Sequence, residues 1–506
     1  MRWRRANLAK ARLRAAEFLP LLPDWVGVGA AAWFVLAFLI LSLLRLSYPF
    51  DMEWVEGAMV DQVRRLLGGH SLYAPPSLEN VPFPYTPLYL YLGALLSRLL
   101  GEGYPPLRLI SIASTIGCFV LLYAFVARET GRKVAGLLAA GAFAATVRMN
   151  AYWFDLARVD MLFIVLIFWA SYIVRFHARP WPYLAAGGLI VLAVLAKQTA
   201  LGPAGALILY ALLDRRPAAW YLLGATAVGL AASLIMLNAV YGGWFWYYTV
   251  TIPAHHGLLD WRLRYFWSND LLRSVAFLLA LALLAIVRRL HGPAAWSGLF
   301  YGLFVAALLV CSYLSRIKSG GANNTLIPLH LGMALLAGLA FGRPGAPHGD
   351  PGDERSAILP RFAVLLLLLH FAQGAYDPRL FLPPEEALAD GMRALRTLQG
   401  IEGEVWAPRY GNLASRLGKG FGAHASLLED TLREPQTAEE NRRRFLQTIQ
   451  ERHYAAIAID TREIPNFMKS EMLAQYDPTG AKLRLIIWQN DSGWTFTEEQ
   501  VYELKP

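Results

Sequence analysis

The sequence predicts a mainly α-helical, polytopic membrane protein that ends in a small C-terminal α/β domain. Of its 506 residues, 56% are hydrophobic and only 17% are charged, whereas soluble domains are about 45–50% apolar and about 25% charged. Long apolar runs recur along the chain, and about 20 apolar residues cross a bilayer as a helix. The formal net charge of +10 lies mostly in short loops between these runs, as in membrane proteins. We therefore expect membrane lipid as a partner and no nucleic acid.

About eleven membrane-spanning helices are predicted. The apolar runs that define them cover residues 26–46, 106–127, 134–152, 161–175, 182–197, 199–213, 219–240, 270–288, 295–313, 325–341 and 358–376. The Arg-rich segment Met1–Phe18 precedes a run that is too long for the apolar core of a signal peptide, so we expect an uncleaved first span and a cytoplasmic N-terminus. Each loop that this topology places in the cytoplasm carries Lys or Arg, as the positive-inside rule requires.

The first loop, residues 47–105, is long and patterned. Glu56–Leu67 reads as an amphipathic helix, and Pro87–Leu100 reads as a second helix that is apolar enough to lie in the membrane interface. The alternative is that 87–101 spans the bilayer, which would invert every later loop and spoil the charge pattern. The favoured topology places this loop outside the cytoplasm, together with 153–160, 241–269, 314–324 and the tail.

The tail, residues 377–506, has the composition of a soluble domain. Helices are predicted at 385–398 and 437–452, and short buried strands are predicted at 405–407, 455–460 and 483–489. We therefore divide the chain into a transmembrane module, residues 1–376, and an extracytoplasmic α/β domain, residues 377–506. Gly342–Ser356 is predicted to be a cytoplasmic linker. Cys118 and Cys311 both lie in predicted spans, so no disulfide framework or zinc site is expected.

Ionisable side chains cluster at the predicted extracytoplasmic ends of the spans, and charge beside a bilayer commonly marks a functional site. A secondary transporter would be expected to hold such charges near the bilayer midplane, so their position favours a reaction at the membrane surface. The residues concerned are Asp51, Glu53, Glu56, Arg158, Asp160, Lys197, His255, His256, Arg316 and Lys318.

This combination fits sugar transfer from a polyprenyl-phosphate donor. A carboxylate can act as general base toward an acceptor hydroxyl, and cations stabilise the charge of the leaving phosphate. We assign the catalytic roles to Asp51, Glu53 and Asp160, with Asp51 as the first choice for the base. The predicted substrate-binding residues are Glu56, Arg158, Lys197, His255, His256, Arg316 and Lys318. A bound Mg²⁺ or Mn²⁺ is left open, since hard cations prefer oxygen ligands.

The motifs resemble those of the GT-C superfamily, in the branch that contains protein O-mannosyltransferases and bacterial aminoarabinose transferases (glycosyltransferase family 39-like). The resemblance covers about residues 24–341. It is carried by the acidic motif after the first span, the aromatic and proline-rich segment that follows, an Arg-X-Asp at a later helix junction, and a lysine at the end of a span. In this sequence they are Asp51-Met-Glu53, Pro82-Phe-Pro-Tyr-Thr-Pro87, Arg158-Val-Asp160 and Lys197-Gln-Thr199.

The resemblance implies a polyprenyl-phosphate-linked monosaccharide as donor, inversion at the anomeric carbon, and an extracytoplasmic active site in a bacterial-type plasma membrane. The family often has adjacent Asp-Glu where this chain has Asp51-Met-Glu53, which leaves open whether Glu53 or Glu56 takes the second role. Two other functions remain open from the sequence. One is a transporter or flippase for a lipid-linked glycan, and the other is a non-enzymatic subunit of an envelope assembly.

Overall fold

Helices make up most of the architecture, and a single four-stranded sheet lies near the C-terminus. The structure is a computed structural model that describes residues 22–289, 295–342, 354–462, 464–490 and 493–506. The Arg-rich N-terminal segment Met1–Phe18 and most of the predicted linker Gly342–Ser356 lie outside the described residues.

Among the described residues, thirteen α-helices of at least twelve residues precede the C-terminal region. They are α1 (Leu22–Leu46), α2 (Glu56–Leu67), α3 (Leu88–Leu100), α4 (Tyr104–Thr130), α5 (Lys133–Ala144), α6 (Asp160–Phe176), α7 (Pro180–Ala196), α8 (Leu201–Asp214), α9 (Arg216–Val240), α10 (Ala276–Val287), α11 (Ala295–Arg316), α12 (Ile327–Ala340) and α13 (Glu354–Gly374). The first loop contains α2 and α3, at the positions predicted for its two helices. The other eleven lie where the eleven spans were predicted, because each forms from one apolar run.

Within the described ranges, four helices are long and apolar enough to cross a membrane by themselves, namely α1, α4, α9 and α11. A fifth candidate is a bent pair, in which Asp260–Arg273 meets α10 at 83°. The shorter helices are packed beside these, and their crossing of the membrane stays a prediction. The chain is thus an integral membrane protein, as its composition predicted.

Two predicted spans begin or end elsewhere than expected. The span predicted at 270–288 begins only at Ala276, because Phe266–Arg273 forms a π-helix that carries the polar residues Asn269, Asp270 and Arg273. The span predicted at 134–152 ends at Ala144, and the polar stretch after it forms turns in which Ala151 and Tyr152 have positive φ. In both places the helix leaves out a polar stretch that the predicted span had included.

In its described part, the C-terminal region contains five α-helices and four strands. The helices are α14 (Glu385–Gln399), α15 (Gly411–Arg416), α16 (Ala425–Arg433), α17 (Ala438–Gln450) and α18 (Asn466–Gln475), and the strands are β1 (Val405–Trp406), β2 (Ala456–Ile459), β3 (Tyr476–Asn490) and β4 (Gly493–Leu504). The strand order is β1-β2-β4-β3, with β1 and β2 parallel and the other pairs antiparallel. The predicted helices 385–398 and 437–452 and the three predicted strands are present, whereas α15, α16, α18 and β4 were not predicted.

The C-terminal region sits directly on the first loop. The backbone N–H of Ala423 donates to the carbonyl of Leu78 at 2.7 Å, and the imidazole of His424 lies 3.2 Å from the carbonyl of Trp54. These contacts bring α16 to the end of the helical bundle at which the first loop lies. The division of the chain at residue 376 falls just after α13 and stays a prediction.

The contact between α1 and α5 can be used to test how the bundle is packed. A methyl group at Gly141, in α5, would overlap the Cα of Ala31 in α1, whereas a methyl at Gly188, in α7, would meet no atom within 4 Å. Overpacking of this kind costs about 1–3 kcal/mol. We expect Gly141→Ala to lower the midpoint of thermal unfolding in detergent, and Gly188→Ala to leave it unchanged or slightly raised. Equal midpoints for both variants would contradict the α1–α5 contact.

Candidate functional site

A cavity of about 520 Å³ lies between the bundle and the C-terminal region. We call it the first cavity. Its walls come from the first loop, the turn before α6, the end of α7, the segment before α12 and helix α16. The polar and aromatic residues that line it include Glu53, Tyr85, Trp153, Arg158, Lys197, Gln198, His256, Lys318, Asn324, Glu429, Asp430 and Arg433.

The aromatic and proline-rich segment is fixed against the end of α7. The hydroxyl of Thr86 donates to the carbonyl of Val194 at 2.7 Å, and the amide of Gln198 donates to the carbonyl of Pro84 at 2.7 Å. Prolines restrict this stretch to an extended backbone, which leaves its carbonyls available to such donors. As a result Tyr85 is held at the wall of the first cavity.

Glu53 and Arg158 meet at one side of the first cavity. The Glu53 Oε2 atom accepts from the Val55 N–H at 3.2 Å and lies 3.5 Å from the Arg158 Nη1 atom. Arg158 also donates to the Tyr85 hydroxyl at 3.1 Å and lies over the Trp153 ring, 4.7 Å from its centroid. The other Glu53 oxygen, Oε1, has no hydrogen-bond partner among the described residues. Glu53 therefore lines the cavity with one acceptor atom unused.

The protonation of Glu53 is set by two opposing effects. Burial raises the pKa of the Glu53 carboxyl, and the nearby Arg158 guanidinium lowers it, with a net pKa of about 7. A general base works best when its pKa lies near the operating pH. The side chain at this position therefore suits proton transfer near neutral pH.

A second charge pair flanks the cavity, between the start of α6 and the end of α7. The Lys197 ammonium donates to the Asp160 Oδ1 atom at 2.6 Å, and the Asn324 amide donates to the same oxygen at 3.0 Å. Lys197 lines the first cavity, whereas Asp160 lies behind it and does not. Since an ammonium has three donors, Lys197 can bind a ligand in the cavity while Asp160 holds it in place.

Glu56 lies behind the cavity wall in a buried ion pair. Its carboxylate receives two hydrogen bonds from the Arg108 guanidinium, at 2.8 and 3.0 Å. It also accepts from the backbone N–H groups of Ala157, at 2.7 Å, and Met52, at 2.9 Å. Glu56 was predicted to bind substrate, but every oxygen of its carboxylate is engaged in joining protein segments.

Asp51, the first choice for the base in the sequence analysis, does not line the first cavity. Its side chain is buried, with 4% exposure, and accepts a hydrogen bond from the backbone N–H of Gly57 in the first turn of α2. Burial and the nearby Glu56 carboxylate raise the pKa of Asp51 well above its ordinary value. The geometry thus gives Asp51 the position of a helix cap, because the first turn of a helix has free N–H groups.

The two predicted histidines face different ways. The His256 Nε2 atom lies 3.3 Å from the Asp430 Oδ2 atom of α16, at the edge of the first cavity. His255 is exposed, and its ring contacts the carbonyl of Thr251 at 2.9 Å. The structure therefore brings only His256 to the site.

The two predicted basic residues after α11 are also separated. Lys318 lines the first cavity and donates to the carbonyl of Pro253 at 3.0 Å. Arg316 points away from it, into an ion pair with Asp270 at 2.7 Å. The isolated pairing of Leu258 with Lys318 fixes this segment against the chain after α9.

Sequence reasoning missed the contribution of α16. Glu429, Asp430 and Arg433 line the first cavity from the C-terminal region, and Arg433 donates to the Ser319 hydroxyl at 3.2 Å. Trp153 was also not singled out as a site residue. Nothing in the local pattern around residue 430 distinguishes it from other amphipathic helices, since its position depends on packing against the first loop.

The residues of the first cavity do not fit a Mg²⁺ or Mn²⁺ site. Within the described part of the chain, no three His, Cys, Asp or Glu side chains are grouped so as to hold a metal ion. Glu53 faces Arg158, and Asp160 is already paired with Lys197. We therefore assign no chemical role to a metal ion.

Comparison with known proteins supports the resemblance drawn from the motifs. Residues 82–244 match the family of dolichyl-phosphate-mannose-protein mannosyltransferases. This range contains Tyr85, Arg158 and Lys197 of the first cavity. A search of curated protein sequences gives no match.

Two solved structures of ArnT from Cupriavidus metallidurans have a similar fold. The one bound to undecaprenyl phosphate has a TM-score of 0.58 and 13% identity, over 94% of this chain and 98% of ArnT. The apo structure has a TM-score of 0.58 and 14% identity, over 94% of this chain and 97% of ArnT. The GT-C fold expected from the sequence is thereby confirmed.

The contribution of the Glu56–Arg108 ion pair to the stability of the fold around the site can be tested by mutation. Removing one partner of a buried ion pair leaves an uncompensated charge and costs about 3–5 kcal/mol. We expect Glu56→Gln to lower the thermal unfolding midpoint strongly. The matched control is Glu102→Gln, which removes a half-exposed partner of Arg64 and costs about 0–1 kcal/mol. Similar midpoints for the two variants would contradict a structural role of the Glu56–Arg108 ion pair.

Proposed function

We propose that this chain is an integral membrane glycosyltransferase that moves a sugar from a polyprenyl-phosphate donor to a hydroxyl of an acceptor. The observation that carries the proposal is the first cavity, in which the buried Glu53 carboxylate has an unused oxygen beside Arg158, with Lys197 and Lys318 in the same lining. The match to a family of dolichyl-phosphate-mannose enzymes, and the fold shared with an ArnT that binds undecaprenyl phosphate, support a lipid-phosphate donor.

The three cations are suited to a phosphate. Lys197 and Lys318 supply ammonium donors as point charges, and Arg158 supplies a planar guanidinium that matches phosphate oxygens. Each is held by a named contact, with Asp160, the Pro253 carbonyl and Glu53, respectively. Fixed cations of this kind stabilise the negative charge that develops on the leaving phosphate without reorganisation during the reaction.

We assign the base to Glu53 in place of Asp51. The Glu53 Oε1 atom accepts the proton of the acceptor hydroxyl, and the hydroxyl oxygen forms a bond to the anomeric carbon of the sugar. The bond from that carbon to the phosphate oxygen breaks with its electron pair, so the lipid phosphate leaves as an anion. Displacement from the opposite face inverts the anomeric carbon. Asp160 acts by positioning Lys197.

We place the site outside the cytoplasm, with the N-terminus on the cytoplasmic side. The supporting observation is the distribution of charge, because the ends of the helices remote from the first cavity carry an excess of arginine and lysine, as cytoplasmic ends do. These residues are Arg128, Arg132, Lys133, Arg175, Arg179, Arg215, Arg288 and Arg289. In this arrangement residues 377–506 form an extracytoplasmic domain whose helix α16 closes one side of the site.

Transfer assays with site variants test the function. Purified protein is incubated with a panel of radiolabelled polyprenyl-phosphate sugars and candidate acceptors. We expect Glu53→Gln to reduce turnover by about 100-fold or more, the usual contribution of a general base, in protein that is still folded and still binds the donor. Asp51→Asn is the comparison, and we expect it to affect stability more than the turnover of folded protein.

Two outcomes of this assay would contradict the proposal. Full turnover by Glu53→Gln together with its collapse in folded Asp51→Asn would return the base to Asp51. Absence of transfer by the wild type, combined with movement of labelled donor across proteoliposome membranes, would favour a transporter of lipid-linked glycans.

The pH profile gives an independent readout of the base. Since Glu53 acts deprotonated and has a pKa of about 7, we expect kcat/KM to fall about tenfold per unit as pH drops below that value. Arg158 lowers this pKa, so Arg158→Gln should move the acidic limb to higher pH, whatever its effect on the maximal rate. A profile that is flat between pH 5 and pH 8, or a limb that does not move in Arg158→Gln, would rule out Glu53 as the base.

A further inference from the structure

Helix α16 forms the wall of the first cavity that the C-terminal region contributes. Its N-terminal end is fixed beside the first loop, where the His424 imidazole lies 3.2 Å from the carbonyl of Trp54. Its C-terminal end is fixed to the segment 316–324, because Arg433 donates to the Ser319 hydroxyl at 3.2 Å. The helix therefore crosses the cavity from the loop that holds the proposed base to the segment after α11.

The face that α16 turns toward the cavity is polar. Its lining residues are Ser426, Leu427, Glu429, Asp430 and Arg433. Ser426, Asp430 and Arg433 are spaced i, i+4 and i+7, so they lie on one side of the helix. At 1.5 Å per residue, they form a row of about 10 Å. A surface helix usually turns such a polar side to bulk water, whereas α16 presents a hydroxyl, a carboxylate and a guanidinium to a cavity.

The charges on this wall are paired with one another. The Asp430 carboxylate lies 3.3 Å from the His256 ring and 3.2 Å from the Arg433 guanidinium. Arg433 also lies 3.4 Å from the carboxylate of Glu429, a side chain that is half exposed. Two carboxylates accompany one guanidinium, so this wall lacks the positive excess of the cations assigned to the donor phosphate. An anionic acceptor would meet like charge here and would be disfavoured.

Donor and acceptor reach the first cavity from different sides in the proposed function, on which this inference rests. The polyprenyl chain stays in the apolar layer of the bilayer. The donor phosphate therefore lies at the ends of the bundle helices, where Arg158 precedes α6 and Lys197 follows α7. The C-terminal region has the composition of a soluble domain and adds α16 from the other side. The acceptor accordingly approaches along α16.

The first cavity also offers polar atoms that have no protein partner. Within the described part of the chain, no hydrogen bond reaches the buried atoms Glu53 Oε1, Gln198 Oε1 and Thr199 Oγ1, and all three residues line the cavity. Such atoms cost about 1–3 kcal/mol each when they stay unsatisfied, so they suit a ligand that brings hydroxyl groups.

Aromatic rings complete the lining. The rings of Phe83 and Tyr85 both face the cavity and are nearly parallel, with 6.0 Å between their centroids. Flat apolar surfaces of this kind cover the apolar faces of a ligand, while a few placed polar groups fix its orientation. A sugar ring has both kinds of surface, because its hydroxyls surround an apolar ring face.

A peptide matches this wall less well. Peptides are commonly bound as an added strand at a sheet edge, or as an apolar helix face in a groove. None of the described lining residues belongs to β1–β4, and the row on α16 is polar. Recognition therefore depends on side-chain donors and acceptors, which favours a hydroxyl-rich molecule.

We propose that α16 binds the acceptor and that the acceptor is an uncharged carbohydrate. The carboxylates of Asp430 and Glu429 accept hydrogen bonds from its hydroxyls, and the guanidinium of Arg433 donates to them. A further hydroxyl of the same molecule reaches Glu53 and is the group that receives the transferred sugar.

Acceptor kinetics with the full-length protein test this proposal. The probes are uncharged di- and trisaccharides of glucose, mannose, galactose and arabinose, and peptides that contain serine and threonine are the comparison. We expect transfer to at least one saccharide. In Asp430→Asn the KM for that saccharide should rise about tenfold, as for a lost hydrogen bond to a charged group, while the KM for the donor stays unchanged. The matched control is Asp477→Asn, which removes an exposed carboxylate of the same region, 3.5 Å from Lys505, and should change neither value.

Saccharide binding without donor separates this proposal from the transfer reaction. It is measured by saturation-transfer difference NMR with the same saccharides. We expect a signal with the wild type and with Asp477→Asn, and a weaker signal with Asp430→Asn. Glu429→Gln is a second variant, because it changes a half-exposed carboxylate and leaves the contact between Asp430 and His256 in place. It should weaken the signal as well.

The remaining outcomes each decide one of the two proposals. Saccharide binding that depends on Asp430, without transfer from any donor, would support the role of α16 and contradict the glycosyltransferase. Transfer to peptides but to no saccharide would overturn the carbohydrate acceptor. Neither binding of nor transfer to any saccharide would overturn it as well. An unchanged saccharide KM in Asp430→Asn, an equal rise in its donor KM, or an equal effect of Asp477→Asn would overturn recognition by α16.

Discussion

The ion pair between Glu56 and Arg108 joins segments that are distant in the sequence. Arg108, on α4, donates to the carbonyls of Arg45, Tyr48 and Phe50 at the end of α1 and the start of the first loop. Glu56, at the start of α2, receives the N–H of Ala157 next to Arg158. Two buried charges are expensive to desolvate, and the cost is offset only when all their donors and acceptors are satisfied. Because this pair satisfies them with backbone groups of the end of α1, the first loop and the turn before α6, it fixes where Glu53 and Arg158 can lie relative to each other.

Three carboxylates within six residues occupy three different environments. Asp51 caps the first turn of α2, Glu56 is enclosed by Arg108, and Glu53 keeps one oxygen without a partner at the cavity wall. Their chemistry is the same, and only the donors around them differ. Glu56, which is surrounded by donors, is held as a charged structural anchor, whereas the pKa of Glu53, about 7, favours proton exchange near neutral pH. The three carboxylates therefore have different roles because different hydrogen-bond donors surround each of them.

Much of the bundle could be predicted from the sequence, because each span is a local apolar run and its ends are marked by charge. The motifs around Glu53, Arg158 and Lys197 also singled out residues that the structure brings together at the first cavity, since polar residues beside a bilayer are costly. The choice between Asp51 and Glu53 could not be made, because it depends on which carboxylate meets the N–H of Gly57. The contribution of α16 could not be predicted either, because Asp430 comes close to His256 only when the C-terminal region packs on the first loop. The π-helical segment before α10 was divided between the predicted loop 241–269 and the predicted span 270–288, because a π-helix has no distinct sequence pattern.

The segment 316–324 is a single partition between the first cavity, which Lys318 lines, and a second cavity of about 480 Å³, which Arg316 lines. Arg316 and Lys318 are separated by one residue, and the carbonyl of Gly321 binds both Arg316 and Arg262. A shift of this partition toward one compartment necessarily enlarges the other. Thermodynamic linkage then requires reciprocity: if occupancy of one compartment changes the affinity of the other by some factor, the reverse effect has the same factor. A ligand of one cavity would in that case be linked to a ligand of the other through nine residues of backbone.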